Sequence, residues 1–311
     1  VIENLSREEI IARVLRLQKL PEGFEEWFSY ARVVHPSKGL IAPTFYPKFK
    51  EIVEALVEKH YVIILKSRQC GVSTLLSLFS IYAASLFPGW SAGVISRRRE
   101  DAVSFLEKGR IAIQYLPLWL RPKISTWNKL SLTFSHASKI LTSPPSKDAF
   151  RGETLSLLVI DEAAACRRID EVYTAAYLTL SKNFSSLQEA SSSRPKMPFG
   201  IVIISTGAVL DNPSAQFFFD MWDRAMMGAN NFVPIKIHWS DVGYTPEWKM
   251  EQAKALGEDP DKIMTELECG FVIARQDAMV FPPDVLRKIQ TQIARADRVP
   301  YERWQAQKVG V

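Results

Sequence analysis

Short, unbroken apolar runs recur along this chain, separated by longer segments whose apolar residues fall at helical spacing. The runs are Tyr61-Val62-Ile63-Ile64-Leu65, Ala92 to Ser96, Ile140 to Thr142, Leu157-Leu158-Val159-Ile160, Ile201 to Ser205 and Val233 to His238. A strand buried on both faces of a sheet has no polar side, so it reads as a continuous run rather than an alternation. Between the runs lie helix-like segments, Phe49 to Val57 and Leu75 to Phe87 among them. At the start, Ser6-Arg7-Glu8-Glu9 has the form of a capping box, with Ile10, Val14 and Leu17 following at helical spacing. Pro246 to Phe271 is helical in pattern and Asp284 to Arg295 is amphipathic, whereas the serine-rich stretch Lys182 to Pro198 predicts a mobile loop. Strands alternating with helices predict an α/β fold, a mostly parallel sheet flanked by helices.

Chemistry enters at the end of the first run. Lys66-Ser67-Arg68-Gln69-Cys70-Gly71-Val72-Ser73-Thr74 links a strand to a helix, the layout that cradles a nucleotide triphosphate. Against the pattern G-x-x-x-x-G-K-[ST], Gly71 and Ser73 are in register, but Lys66 takes the place of the first glycine and Val72 that of the lysine. Phosphates still need a cation, and the loop's first residue can reach them, so Lys66 can substitute with Arg68 as a second charge. Backbone N–H groups from Gln69 to Thr74, at the positive end of the helix, would supply further donors. The same residues also fit an ordinary strand–turn–helix with basic side chains facing water.

A second constellation favours the phosphate loop. The run Leu157 to Ile160 ends in Asp161-Glu162. An acid at a strand end can hold Mg²⁺ together with the Ser73 hydroxyl, and the following Glu can polarise an attacking water. Further on, the run from Ile201 ends in Ser205-Thr206-Gly207, small residues suited to sensing a terminal phosphate. Together these predict a P-loop NTPase core with a small helical lid, acting on ATP with Mg²⁺.

Composition narrows the picture modestly. With 311 residues, 47% of them apolar, the chain can bury a full core. A net charge of +5 suits an anionic partner. Arg97-Arg98-Arg99 is the leading candidate for contact with nucleic-acid phosphates, ahead of Lys123, Lys129 and Lys139, although a charge run is also what a solvated face looks like. Cys70, Cys166 and Cys269 are too scattered for a metal or disulfide framework, and Cys70 is exposed to oxidation if it lies open in the loop. The four histidines do not cluster, which argues against a histidine metal site.

The order of these motifs resembles the ATPase domain of the large terminase subunit of tailed bacteriophages, from roughly Pro43 to Pro283. The S-R-Q-x-G-x-[ST]-T loop at Ser67 to Thr74 carries most of the resemblance. Ser143 to Gly152, leading into the strand that ends in Asp161-Glu162, resembles the family's run into its Walker B strand. Ser205-Thr206-Gly207 resembles its coupling motif, and Glu266 to Phe271 a segment near the end of its ATPase domain. The resemblance implies a motor that moves double-stranded DNA into a procapsid in the host cytoplasm. It further implies a homo-oligomeric ring working with a portal protein and a small terminase subunit. By the family's pattern Arg151 is an arginine finger reaching a neighbour's ATP, with Arg68 as the competing candidate within its own subunit. The family's adenine-reading glutamine is not evident; Phe49 falls about where it would be, so Phe49 or Tyr46 would stack on the base instead. The implied organisation is an N-terminal helical segment on the adenine side (1–42), the ATPase core (43–238), a C-terminal helical subdomain (239–295) and a linker (296–311) toward a nuclease domain. Members of the family also carry a C-terminal nuclease, which these residues are expected not to hold, so they are not expected to cut DNA. Two other readings of the motifs stay open: a helicase-like or remodelling ATPase, and an assembly protein that binds ATP without hydrolysing it.

Overall fold

Two short helices and a hairpin open the chain in the computed structural model, which describes residues 5–188 and 197–273. They are α1 (Arg7–Leu17), α2 (Glu22–Tyr30) and the strands β1 (Val33–His35) and β2 (Gly39–Ile41). The Ser6–Glu9 capping box forms, each side chain satisfying the other residue's backbone N–H. Then α3 (Pro47–Lys59) leads into β3 (Tyr61–Lys66), α4 (Val72–Leu86), β4 (Ser91–Ser96) and α5 (Arg99–Tyr115). A meander of β5 (Ile124–Trp127), β6 (Ser131–Phe134) and β7 (Lys139–Ser143) precedes β8 (Leu157–Asp161) and α6 (Ile169–Gln188). The remainder is β9 (Gly200–Ser205), α7 (Pro213–Met226), β10 (Val233–Ile237), α8 (Pro246–Ala255) and α9 (Pro260–Glu266).

Eight strands form one sheet in the order β10-β3-β9-β8-β4-β7-β6-β5. Pairing is parallel from β10 through β7 and antiparallel for β7–β6 and β6–β5. The register brings strand ends level: Leu65 lies beside Ser205, and Asp161 beside Ile204 and Ser96. Everything that follows α/β topology therefore converges at one edge, the carboxyl ends of β3, β8 and β9.

Period-two alternation divides the sheet's side chains between two cores. Val62, Ile64, Leu157, Val159, Val202 and Ile204 face one, with α2, α3, α4 and α5. Ile63, Leu65, Leu158, Ile160, Ile201 and Ile203 face the other, with α6 and α7. Each such fully buried side chain stabilises the fold by roughly 1.5–3 kcal/mol. Helix α4 is buried over nearly all its length, and its Tyr82 hydroxyl donates to the Leu17 carbonyl. Phe24 packs on Trp27, Phe28, Phe79 and Tyr82, so the N-terminal helices share this core rather than standing apart.

Two expectations change, and one element was not anticipated. The hairpin β5–β6 had no sequence signal; its strands are four residues each, and β5 is largely exposed, so neither a run nor a long alternation could mark it. The predicted loop from Lys182 begins too early, because α6 continues to Gln188. Ala176, Leu180, Phe184 and Leu187 keep helical spacing through the serines, which outweighs the turn-like composition. Pro246 to Phe271 is two helices rather than one. Gly257 and Glu258 adopt positive φ between them, and Asp259 caps the second by accepting from the Asp261 and Lys262 N–H groups.

Residues Val1–Val272 form one unit and Ile273–Val311 a second. The amphipathic stretch Asp284 to Arg295 and the linker 296–311 lie outside the described residues. Among the described residues no helix is long and apolar enough to cross a membrane.

Candidate functional site

The loop between β3 and α4 is wound tightly, with Gln69 and Gly71 both in the left-handed region (φ 62° and 77°). Gly71 is the N-cap of α4, and a Cβ there would sit 3.4 Å from the Phe49 ring in a backbone conformation that disfavours side chains. The first turn of α4 presents N–H groups that have no intrahelical partner, a ready anion site. The loop's first two N–H groups are already used: Ser67 donates to the Ile237 carbonyl at 2.8 Å and Arg68 to the Glu266 carbonyl at 2.7 Å. The Ser67 hydroxyl donates to the Leu267 carbonyl and accepts from the Trp239 N–H at 3.0 Å. Ser67, expected among the phosphate contacts, is instead a buried anchor tying the loop to the segments after β10 and α9.

Val72 explains why the usual lysine is missing. Its side chain is 1% exposed and belongs to the core around α4, a place no ammonium could occupy unpaired. Lys66 is itself 5% exposed, and its Nζ donates to Glu162 Oε1 at 2.9 Å. Burial opposes its charge, but Glu162 and Asp161 together hold the ammonium above its ordinary pKa. Glu162 follows β8 in a left-handed conformation (φ 55°, ψ 48°) that turns the chain away from the sheet.

Ser73 donates from Oγ to Asp161 Oδ1 at 3.1 Å. Burial, reinforced by neighbouring Glu162, pushes the Asp161 carboxyl above the usual range, against the pull of Lys66 and Lys108. A hydroxyl and a carboxylate are hard oxygen donors that could hold a Mg²⁺ ion completing its shell with water and phosphate oxygens. Among the described residues no cluster of three or more His, Cys, Asp or Glu offers an all-protein alternative.

These groups open into a cleft of about 530 Å³. Its floor carries Ser73, Asp161 and Glu162, with Ser205, Thr206 and Gly207 beside them. The Ser205 hydroxyl accepts from the Ala164 N–H at 3.2 Å, linking the end of β9 to the turn after Glu162. Beyond it the chain pairs with the C-terminal segment: Val272 donates to the Ala208 carbonyl, and Leu210 to that of Val272. Gly207 lies so close to this segment that a Cβ would fall 1.8 Å from the Gly270 carbonyl oxygen.

Other predicted residues are placed differently from one another. Arg68 lines the cleft and pairs with Glu266 at 3.3 Å, its side chain 59% exposed. Arg151 is 84% exposed, pairs with Asp148 at 3.1 Å, and does not line its own chain's cleft. Phe49, expected at the base, is a core residue 3% exposed, with Phe45 and Tyr46 edge-on to its ring. The Cys70 thiol is buried and pushed up to about 12 by burial, so the loop's cysteine is shielded rather than open to oxidation. Of the basic run, Arg97 turns into the cleft beside Asp101 at 3.2 Å, while Arg98 and Arg99 are exposed at the start of α5. Lys123 and Lys129 are exposed, and Lys139 pairs with Glu153.

Two features escaped sequence reading. Lys108 lines the cleft from α5; Arg97, Asp101, Phe105 and Lys108 follow at helical spacing, a signal that was available. Tyr244 donates to the Gln69 carbonyl at 3.3 Å and stacks on Trp248 with centroids 4.0 Å apart, which nothing local announced.

Residues 63–198, which contain both the loop and the Asp161-Glu162 pair, match the family model of the N-terminal part of the T4-like-virus-type terminase large subunit. Among solved structures, the HK97 bacteriophage large terminase shares 14% identity at a TM-score of 0.56, over 78% of this chain and 54% of that one. The large-terminase ATPase domain of Thermus phage P74-26 shares 16% at a TM-score of 0.52, over 74% and 94%. A large terminase from a thermophilic bacteriophage, solved with ATP-γ-S, shares 12% at 0.52, over 74% and 53%. At these identities the likeness to the solved structures is one of fold: this chain is similar to the ATPase domains of phage large terminases, and it spans about half the length of the full large terminases it matches.

Proposed function

We propose that this chain is the ATP-hydrolysing part of a motor that drives double-stranded DNA into a viral procapsid. The observation that carries the reading is the pairing of the β3–α4 loop with the end of β8: Lys66 on Glu162 at 2.9 Å and Ser73 on Asp161 at 3.1 Å. A purely structural role is a poor account of the first pair, since desolvating the Lys66 ammonium against a partly exposed Glu162 seldom gains more than apolar packing would. Its family match over residues 63–198 supports the motor class.

In this reading the N–H groups from Gln69 to Thr74 hold the β-phosphate, with Lys66 and Arg68 as cations. Ser73 and Asp161 hold Mg²⁺, which when bound neutralises charge on the phosphate oxygens. Nucleotide offers Lys66 a phosphate in place of Glu162, and the freed carboxylate then orients water and takes its proton. Until that exchange the base is occupied, so hydrolysis waits for a correctly seated triphosphate. Ser205, Thr206 and Gly207 pass loss of the terminal phosphate to the paired segment ending at Val272. Arg151, outside its own cleft, acts on the neighbouring subunit of a homo-oligomeric ring. That ring would work in the host cytoplasm with a portal protein and a small terminase subunit.

Glu162→Gln is the direct test. A lost general base costs about 10²–10⁴-fold, so steady-state turnover should fall to background while ATP affinity stays within a few-fold of wild type. Persistent hydrolysis would remove Glu162 from the mechanism. The second reading, an assembly protein that binds without cleaving, draws on the occupied state of Glu162. It predicts no turnover by the wild-type chain at any protein concentration.

A further inference from the structure

We propose that Lys108 is a further phosphate-binding cation beside Lys66 and Arg68, one that contacts the terminal phosphoryl group and so distinguishes triphosphate from diphosphate. The inference rests on the ATPase reading and adds to it a residue from α5, outside both sequence motifs.

Three cationic side chains line the cleft, and two are committed. Arg68 pairs with Glu266 and Arg97 with Asp101. Lys108 has no ion-pair partner among the described residues, although its surroundings include Asp161 and Glu162 as attracting charges and Lys66 as a repelling one. Burial pushes its ammonium below the ordinary lysine value despite the two carboxylates. A desolvated ammonium without a partner is unfavourable, and an anion arriving between it and the loop would remove that cost.

The loop itself makes room for such a residue. The position that usually supplies the lysine is Val72, sealed in the core, and Lys66 is bound to Glu162. Lys66 and Arg68, each first shared with a carboxylate, are a sparse complement for a triphosphate end. Lys108 lines the same cleft as Ser73, Asp161 and Thr206, the part of the site where a terminal phosphate would lie if Ser73 and Asp161 hold its metal. A lysine that merely balanced the charge of Asp161 and Glu162 would affect both nucleotides alike. One that contacts the third phosphate would not.

The test compares Mg²⁺-ATP-γ-S and Mg²⁺-ADP binding by titration calorimetry on the full chain, for wild type, Lys108→Met and Lys108→Arg. Loss of a charge-assisted contact should weaken ATP-γ-S by about tenfold or more in Lys108→Met, leave ADP within about twofold, and be largely rescued in Lys108→Arg. Lys108→Gln provides the same comparison should the methionine variant fold poorly. Equal losses for both nucleotides, or no change in either, would overturn the inference while leaving the ATPase reading intact. A wild-type chain that binds neither nucleotide would overturn both.

Discussion

Val72 stands where a phosphate loop normally carries its lysine and Lys66 where it carries its first glycine; both are buried, and Lys66 has carboxylates to pair with. The isopropyl group completes a core that an ammonium could not enter, while Lys66, at the last position of β3, is kept charged by two carboxylates, Asp161 at the end of β8 and Glu162 just after it. The same burial governs the thiols. Cys70, Cys166 and Cys269 are 2%, 0% and 4% exposed, and burial pushes Cys70 and Cys166 up to about 12 and raises Cys269. Because a raised pKa lowers the thiolate fraction at every pH below it, iodoacetamide at pH 8 should label these cysteines at least about tenfold more slowly in the native chain than in urea. Labelling should accelerate as pH rises. Rapid modification of native Cys70, read by peptide mass, would contradict the buried loop cysteine.

At the scale of elements, the phosphate loop, the segment after β9 and the end of α9 are stitched into one hydrogen-bonded patch. Ser67 reaches Leu267 and Trp239, Arg68 reaches Glu266, and Ala208 to Leu210 pair with Val272. In the proposed motor a change at the nucleotide would thereby reach the C-terminal helices through backbone and short hydroxyl contacts. Gly207 is the tightest point. Adding one methyl there forces the two segments apart, so Gly207→Ala should cost about 1–3 kcal/mol in urea unfolding. It should also slow turnover more than it weakens ATP binding. Wild-type stability and rate would show that this contact is not under compression.

For the whole molecule, the informative feature is a charge that has no place in its own site. Arg151 is exposed, and its i,i+3 pair with Asp148 contributes little to stability. If it completes a neighbour's cleft, specific ATPase activity should rise with protein concentration in the wild type and stay flat and low in Arg151→Ala. The urea midpoint should not move. An arginine finger supplies about 10³–10⁵ in rate, so the difference at high concentration should be large. Activity independent of concentration in both would place the finger elsewhere, with Arg68 as the alternative.

What the amino-acid sequence determined by itself was the parallel core and the order of its motifs. Runs such as Leu157 to Ile160 and Ile201 to Ser205 are apolar on both faces, and only a strand covered on both sides tolerates that. The start of α1 was equally local, set by the Ser6–Glu9 capping box. Tertiary structure decided which side chains meet. Strand β9 lies between β3 and β8, so the carboxylates after β8 come within reach of Lys66 and Ser73 only through the crossovers that set that order. Phe49 entering the core, Ser67 turning to Leu267, and Arg97 and Lys108 facing the cleft are outcomes of packing against segments remote in sequence. Local spacing prescribes backbone conformation and one buried face, whereas a site's chemistry depends on what the fold places opposite that face.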